Sequence, residues 1–206
     1  MKVTLLNYTP LDICSQAIRT CWQSFDKSDN GGVKDLALIN RVGNELKHSS
    51  TLEHLYYNFY IEDISRACLQ ELARHRIASL SVKSSRYTLK ELNSIDLDTT
   101  ENWEDLASKY IKLKEDIKEY QIQQFKLLVK AVHKCKSNDI AKYCMPESYL
   151  TSLSWSINAR SLQNFLNLRT SKAALEEIRE LAYAVYGELP KSHKFVFKDS
   201  LYQTKE

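Results

Sequence analysis

Apolar residues return every third or fourth position over most of this chain and alternate over only a few short stretches. The first rhythm predicts helices and the second strands. Ile13, Ala17, Ile18, Cys21 and Trp22 predict a helix that Asp12 would cap. Leu36, Ile39 and Val42 continue helical spacing over 33–46, and Ile64, Ala67, Cys68 and Leu72 over 64–75. Leu106, Tyr110, Leu113, Ile117, Tyr120 and Leu128 predict one long amphipathic helix from Trp103 to Lys136, with the charged sequence KLKEDIKE on its solvated face. A short helix over 139–144 must stop before Pro146. Another spans 158–168. In the last, which Ser171 would cap, Leu175, Ile178, Leu181 and Val185 share a face and Gly187 lies near the end. Strands are expected over 1–8, closed by Pro10, over 55–61 and over 149–157. Residues 26–32 read as a turn or mobile loop, and 93–102 as a polar loop. Long helices mixed with a few non-repeating strands predict an α+β fold, and no linker divides residues 1–206, so a single domain is expected.

Composition narrows the chemistry. Apolar residues are 43% and charged residues 27%, as in ordinary globular proteins. The longest apolar run, Leu181 to Tyr186, falls far short of the about 20 residues of a membrane helix, and no h-region suggests a secretory leader. A net charge of +3 without a basic stripe argues against a nucleic-acid-binding module. Only four glycines occur, in neither GxGxxG nor GxxxxGK[ST], so any phosphate must be held by side chains and helix ends. Five cysteines, with no CxxC pair, read as reduced cytosolic thiols, and no metal site is expected.

Three clusters could carry chemistry. Arg74-His75-Arg76 is followed by Ser79, Ser81, Ser84, Ser85 and Arg86: forked cations and hydroxyls suited to an anion, beyond what a helix end alone attracts. Arg160, Asn164 and Asn167 share a helix face in the segment opening Asn158-Ala159-Arg160-Ser161, where amides and guanidiniums could meet a heterocycle or tie the helix to its neighbours. In HSSTLEH, Ser50 and Glu53 fit the SxxE capping box, which leaves His48 and His54 unexplained.

These motifs, in this order, resemble the flavin-dependent thymidylate synthases, the ThyX family. The signature is RHR, seven residues, then Ser: Arg74-His75-Arg76, residues 77–83, Ser84. NARSLQNFLNLR (158–169) is similar to the family's C-terminal motif and HSSTLEH to its N-terminal one. The resemblance implies an α+β domain whose antiparallel sheet is flanked by long helices. It also implies a cytoplasmic homotetramer with active sites between subunits. The implied reaction is reductive methylation of dUMP to dTMP, with methylenetetrahydrofolate as carbon donor, NADPH as reductant and FAD as hydride carrier, and with no role for nucleic acid or membrane.

The resemblance also implies site residues. Ser50, Arg74, His75, Arg76, Ile77, Val82, Asn158, Arg160 and Asn164 would hold FAD, with His48 near flavin and folate. Glu71, Arg74, Val82, Lys83, Ser84, Ser85, Arg86, Lys142 and Arg169 would hold dUMP, and Arg169 would be the catalytic guanidinium aimed at uracil N3. Ser84 fits a phosphate ligand better than a nucleophile. No Pro-Cys pair supplies the thiol of the folate-only synthases. Four positions depart from the pattern: Ser81 replaces the usual Asn, Glu71 the usual Gln, Lys142 the usual Arg, and Ala173 stands where a His is common.

Overall fold

The computed structural model describes residues 1–202. Its sheet contains β1 (Lys2–Tyr8), β2 (Tyr56–Ser65), β3 (Ala78–Val82) and β4 (Leu150–Asn158), hydrogen-bonded in the order β1-β2-β4-β3. Neighbouring strands are antiparallel. Thr9 N donates to Tyr56 O, Ala159 N to Leu55 O and Lys83 N to Ser152 O, each joining the end of one strand to the start of another. The α+β class and antiparallel sheet are as expected. In β4 the alternation is clean: Thr151, Leu153, Trp155 and Ile157 are buried, with serines between them. In β2, Tyr57, Phe59 and Ile61 are buried before Asp63 adopts φ 57°, and the burial pattern slips there as at a bulge.

The chain packs as two compact units. The first comprises residues 1–61, 72–81 and 154–206. It contains α1 (Leu11–Thr20) and α2 (Val33–Ile39), which continues as a π turn over Asn40–Glu45. A Cβ on Gly43 of that turn would come within 2.7 Å of the buried Leu52 side chain, so glycine permits the approach. α1 is capped by Pro10 rather than Asp12, whose Oδ1 accepts instead from Ile13 N. The 26–32 segment forms turns tied to α2: Ser28 Oγ and Gly31 N both donate to Asp35 Oδ2, while Arg19 donates to Oδ1. The SxxE capping box does not form. Ser49–His54 is a 3-10 turn without a side-chain cap, and Glu53 pairs elsewhere.

α3 (Arg66–Ala73) begins two residues later than its periodicity predicts, because Ile64 and Ser65 complete β2. Its last two residues, Leu72 and Ala73, belong to the first unit.

The second unit comprises residues 62–71 and 82–153, with a core that includes Leu89, Leu92, Ile111, Phe125, Leu128 and Val129. It contains α4 (Ser85–Thr88). The predicted helix from 103 to 136 is two helices, α5 (Trp103–Ser108) and α6 (Lys118–Lys134). Between them Ile111 bridges Tyr149, Lys112 N donates to Ser148 O, and Leu150 N donates to Tyr110 O. Gln121 holds the break by accepting from Lys114 N and donating to Lys112 O. Tertiary pairing overrides a helical rhythm here. α7 (Asn138–Ala141) and a 3-10 turn over Lys142–Cys144 stop before Pro146 as expected.

Two helices of the first unit follow: α8 (Ala159–Arg169) and α9 (Glu176–Glu188). Leu175, not Ser171, occupies the cap of α9; Ser171 Oγ accepts from Ala173 N in a local turn. Rings in the first unit run from Phe59 to Trp155, Phe165 and His75, with centroids 5.9, 5.1 and 5.0 Å apart in succession.

Candidate active site

In the first unit, α8 presents the chemistry. Its periodicity buries Leu162, Phe165 and Leu166 and turns Arg160, Gln163, Asn164 and Asn167 to another face. Those four, with Asn44, Lys47, Ser49, Val196, Asp199 and Ser200, line a cleft of about 240 Å³. Ser49 belongs to the HSSTLEH cluster, whereas Asn44, Lys47, Gln163, Val196, Asp199 and Ser200 carry no individual expectation from the sequence. The i, i+3, i+4, i+7 spacing could have found Gln163, and the positive φ of Lys47 has no sequence signal. Gln163 Nε2 is engaged, donating to Val196 O at 2.7 Å and Asn44 Oδ1 at 3.3 Å.

Asn158 is 3% exposed, and its Oδ1 accepts from Ser161 N at 2.9 Å. It is therefore the N-cap of α8, and its amide N–H groups and the second lone pair of Oδ1 remain for a ligand. Arg160 Nη1 lies 2.6 Å from Glu53 Oε1, an exposed pair in which the guanidinium keeps further donors. Ser50 and His48 are exposed, and the His48 carbonyl accepts from the Thr51 hydroxyl.

At the far end of α8, Arg169 Nε donates to His75 Nε2 at 2.9 Å. His75 is buried and meets Phe165 edge-on, with an interplanar angle of 82°. Its neighbours Arg74 and Arg76 are exposed, and among the described residues neither has a carboxylate ion-pair partner. Ile77 follows with 71% of its surface exposed. The first unit thus brings together two predicted groups, the RHR histidine and the final arginine of NARSLQNFLNLR.

The second unit holds the other predicted residues. Val82 ends β3 and is 37% exposed. Lys83 Nζ lies 3.4 Å from Glu91 Oε1. Ser84 is the N-cap residue of α4 and Ser85 its first residue. Arg86 makes a bidentate contact with Asp139, Nε to Oδ1 at 2.6 Å and Nη2 to Oδ2 at 2.9 Å. That guanidinium first, and Lys142 more weakly, holds the Asp139 carboxyl below the usual carboxylate range despite some desolvation. Asn138 Nδ2 donates to the Arg86 carbonyl, fixing the backbone at the same point. Lys142 follows α7 and is half-buried, and Glu71 lies near the end of α3. Asp139 carried no sequence signal as a partner of Arg86, because 53 residues separate them.

Among the described residues no cluster of His, Cys, Asp and Glu could hold a metal ion. The donors are guanidinium, ammonium, amide and hydroxyl groups, which suit an anionic organic ligand.

A family model for the thymidylate synthase complementing protein matches residues 4–193. The flavin-dependent thymidylate synthase of Wolinella succinogenes is 58% identical over 199 residues, covering 96% of this chain and 97% of that protein. The enzyme of the same name from Helicobacter pylori is 55% identical over 207 residues, covering 98% and 99%. The crystal structure of the Helicobacter pylori flavin-dependent thymidylate synthase ThyX, complexed with FAD and dUMP, matches with a TM-score of 0.91 at 54% identity, covering 98% of this chain and 100% of that one.

Proposed function

The chain belongs to the flavin-dependent thymidylate synthases, the family of the thymidylate synthase complementing protein, and on that premise we propose that it converts dUMP to dTMP with methylenetetrahydrofolate as carbon donor, FAD as hydride carrier and NADPH as reductant. The observation that carries the reading is the contact of Arg169, last residue of α8, with His75 of the RHR motif. The family match runs through both compact units, which supports taking residues 1–206 as one catalytic domain.

The donor set fits the cofactor. FAD is anionic at its pyrophosphate and carries amide-like edges on its ring; Arg74, Arg76, Arg160 and the α8 amides answer both. The cleft of about 240 Å³ along α8 is below the usual range of a whole ligand site and suits one portion of an extended molecule. FAD, when bound, supplies the hydride. Ser50, Arg74, His75, Arg76, Ile77, Val82, Asn158, Arg160 and Asn164 would hold it, with His48 beside it.

Glu71, Arg74, Val82, Lys83, Ser84, Ser85, Arg86 and Lys142 would hold dUMP. The phosphate is answered by cations and by the Ser84 and Ser85 hydroxyls. Arg169 is the catalytic residue of this reading: a fixed guanidinium at the uracil N3 edge favours the negative charge that grows as the ring is activated.

The finer assembly is a cytoplasmic homotetramer with sites between subunits. Trp22, Val33, Tyr120 and Tyr143, 84, 81, 73 and 86% exposed, are apolar groups that subunit contacts could cover. All five cysteines are unbridged, which suits a reducing compartment.

The test is tritium release from dUMP labelled at uracil C5, with FAD, NADPH and methylenetetrahydrofolate, alongside direct detection of dTMP. Release that requires all three, with matching dTMP, is expected. FAD-loaded protein that releases none would overturn the reading.

A further inference from the structure

The contact between Arg169 and His75 carries a further step, which rests on the reading of Arg169 given above. We infer that His75 is the positioning residue of Arg169: a neutral imidazole whose Nε2 lone pair takes the Arg169 Nε–H and so sets the plane of the guanidinium.

The donor direction is fixed by chemistry. A guanidinium is always protonated and has no acceptor, so at 2.9 Å His75 Nε2 must be the acceptor. The imidazole then carries its proton on Nδ1. The ring is held from behind. It is 9% exposed and stands edge-on to Phe165, which packs on the fully buried Trp155, while the His75 backbone N–H donates to Leu72 O at 3.1 Å. An arginine side chain has several rotatable bonds between its backbone and its guanidinium. Anchoring Nε to a ring fixed by the aromatic core removes that freedom and aims the planar fork. What Arg169 needs from residue 75 is an acceptor at the Nε2 position, not a charge.

This predicts a pattern that a merely packed histidine would not give. In single-turnover oxidation of reduced flavin by dUMP and methylenetetrahydrofolate, at saturating ligand, His75→Leu should be slowed about 10–100-fold, the usual effect of losing a partner that orients a working group. Because His75 is also placed among the groups that hold FAD, every variant is compared with FAD saturating. His75→Gln, whose amide oxygen reaches the Nε2 position, should recover most of the loss. His75→Asn, whose shorter amide does not reach it, should recover little. In an Arg169→Ala background, His75→Leu should cost nothing further. Equal costs in both backgrounds, or Asn rescuing as well as Gln, would overturn the proposal. The Gln and Asn pair keeps the test open if His75→Leu fails to fold.

A second readout is independent of turnover. In protein with 15N-labelled histidine, His75 should show the Nδ1-protonated neutral tautomer, and Arg169→Ala should remove that preference. Parental protein that makes no dTMP yet shows this tautomer would sink the catalytic reading and keep the contact. An Nε2-protonated His75 would sink the positioning role whatever the activity.

Discussion

Arg169 and His75 are 94 positions apart in sequence and joined by a bond of 2.9 Å from Nε to Nε2. The last arginine of one motif is thereby anchored on the histidine of another. A cation on the last turn of α8 would also stabilise the helix end by about 0.3–1 kcal/mol, but that needs no partner and no particular direction.

Arg169→Ala separates the two roles. A helix-end cation predicts a small stability change and normal turnover. A guanidinium preorganised against developing charge predicts a loss of about 10²–10³ in rate, or roughly 3–4 kcal/mol. The second is expected, with FAD retained. Arg169→Lys should recover only part, since a point charge replaces the fork and the Nε bond to His75 is lost. Single-turnover oxidation of reduced flavin in the presence of dUMP and folate decides it; a parental rate for Arg169→Ala returns the residue to the helix-end role.

Asp139 grips Arg86 by two donors, which orients that guanidinium while consuming one of its edges. The pair is exposed, so its loss should be mild. Asp139→Asn should weaken dUMP binding only roughly two- to five-fold, because a solvent-exposed ion pair is worth little. Arg86→Ala should weaken it more. Calorimetric titration of dUMP into the FAD-loaded protein checks the order; tighter binding by Asp139→Asn would mean that the carboxylate competes with the nucleotide.

The residues of this candidate site were legible as types and illegible as pairs. The RHR and NARSLQNFLNLR runs identified His75 and Arg169 separately, yet periodicity says nothing about contacts across 94 positions. Glu53 satisfied a local capping rule and was taken instead by Arg160, 107 residues away. Asn158 is expected at a ligand, and its oxygen also caps α8. The helical rhythm from Trp103 onward was genuine on both sides of residues 110–114, but Ile111 gave up its place in a helix to bridge Tyr149. Local pattern fixed element types where nothing distant competed for the same backbone.

Asp35 carries a prediction about stability. Burial alone would raise its pKa; hydrogen bonds from Ser28, Gly31 and Arg19 outweigh that and hold it at about 2. Its folded pKa lies below the ordinary aspartate value of 3.8, so the stabilisation is present above about pH 4 and is lost as pH falls toward 2. Asp35→Asn leaves the Arg19 guanidinium, 6% exposed, without its carboxylate and should destabilise the protein by about 3–5 kcal/mol. Urea unfolding at neutral pH measures this. A change below about 1 kcal/mol would show that Arg19 finds water or another acceptor at little cost.

His193 gives a second pH window, separate from the first. Its ring is buried, with Nδ1 2.8 Å from the Tyr57 hydroxyl and Tyr8 edge-on to it at 4.9 Å. Burial lowers its pKa from 6.5 to about 4, so the folded protein keeps it neutral where the unfolded chain takes up a proton. The sign follows from proton counting. Between about pH 6.5 and 4 the unfolded state binds more protons, so stability rises with pH there and falls on acidification. Above 6.5 both states are neutral at this residue and its contribution is constant. His193→Gln keeps an amide facing Tyr57 and cannot titrate. The parental thermal midpoint should therefore drop more steeply than that of His193→Gln between pH 6.5 and 4.5, while the two curves run parallel above pH 7. Asp35 does not blur the comparison, because its own loss begins near pH 4, below that window. Equal slopes for the two proteins between pH 6.5 and 4.5 would mean that His193 is protonated in the fold, with the Tyr57 oxygen accepting from it.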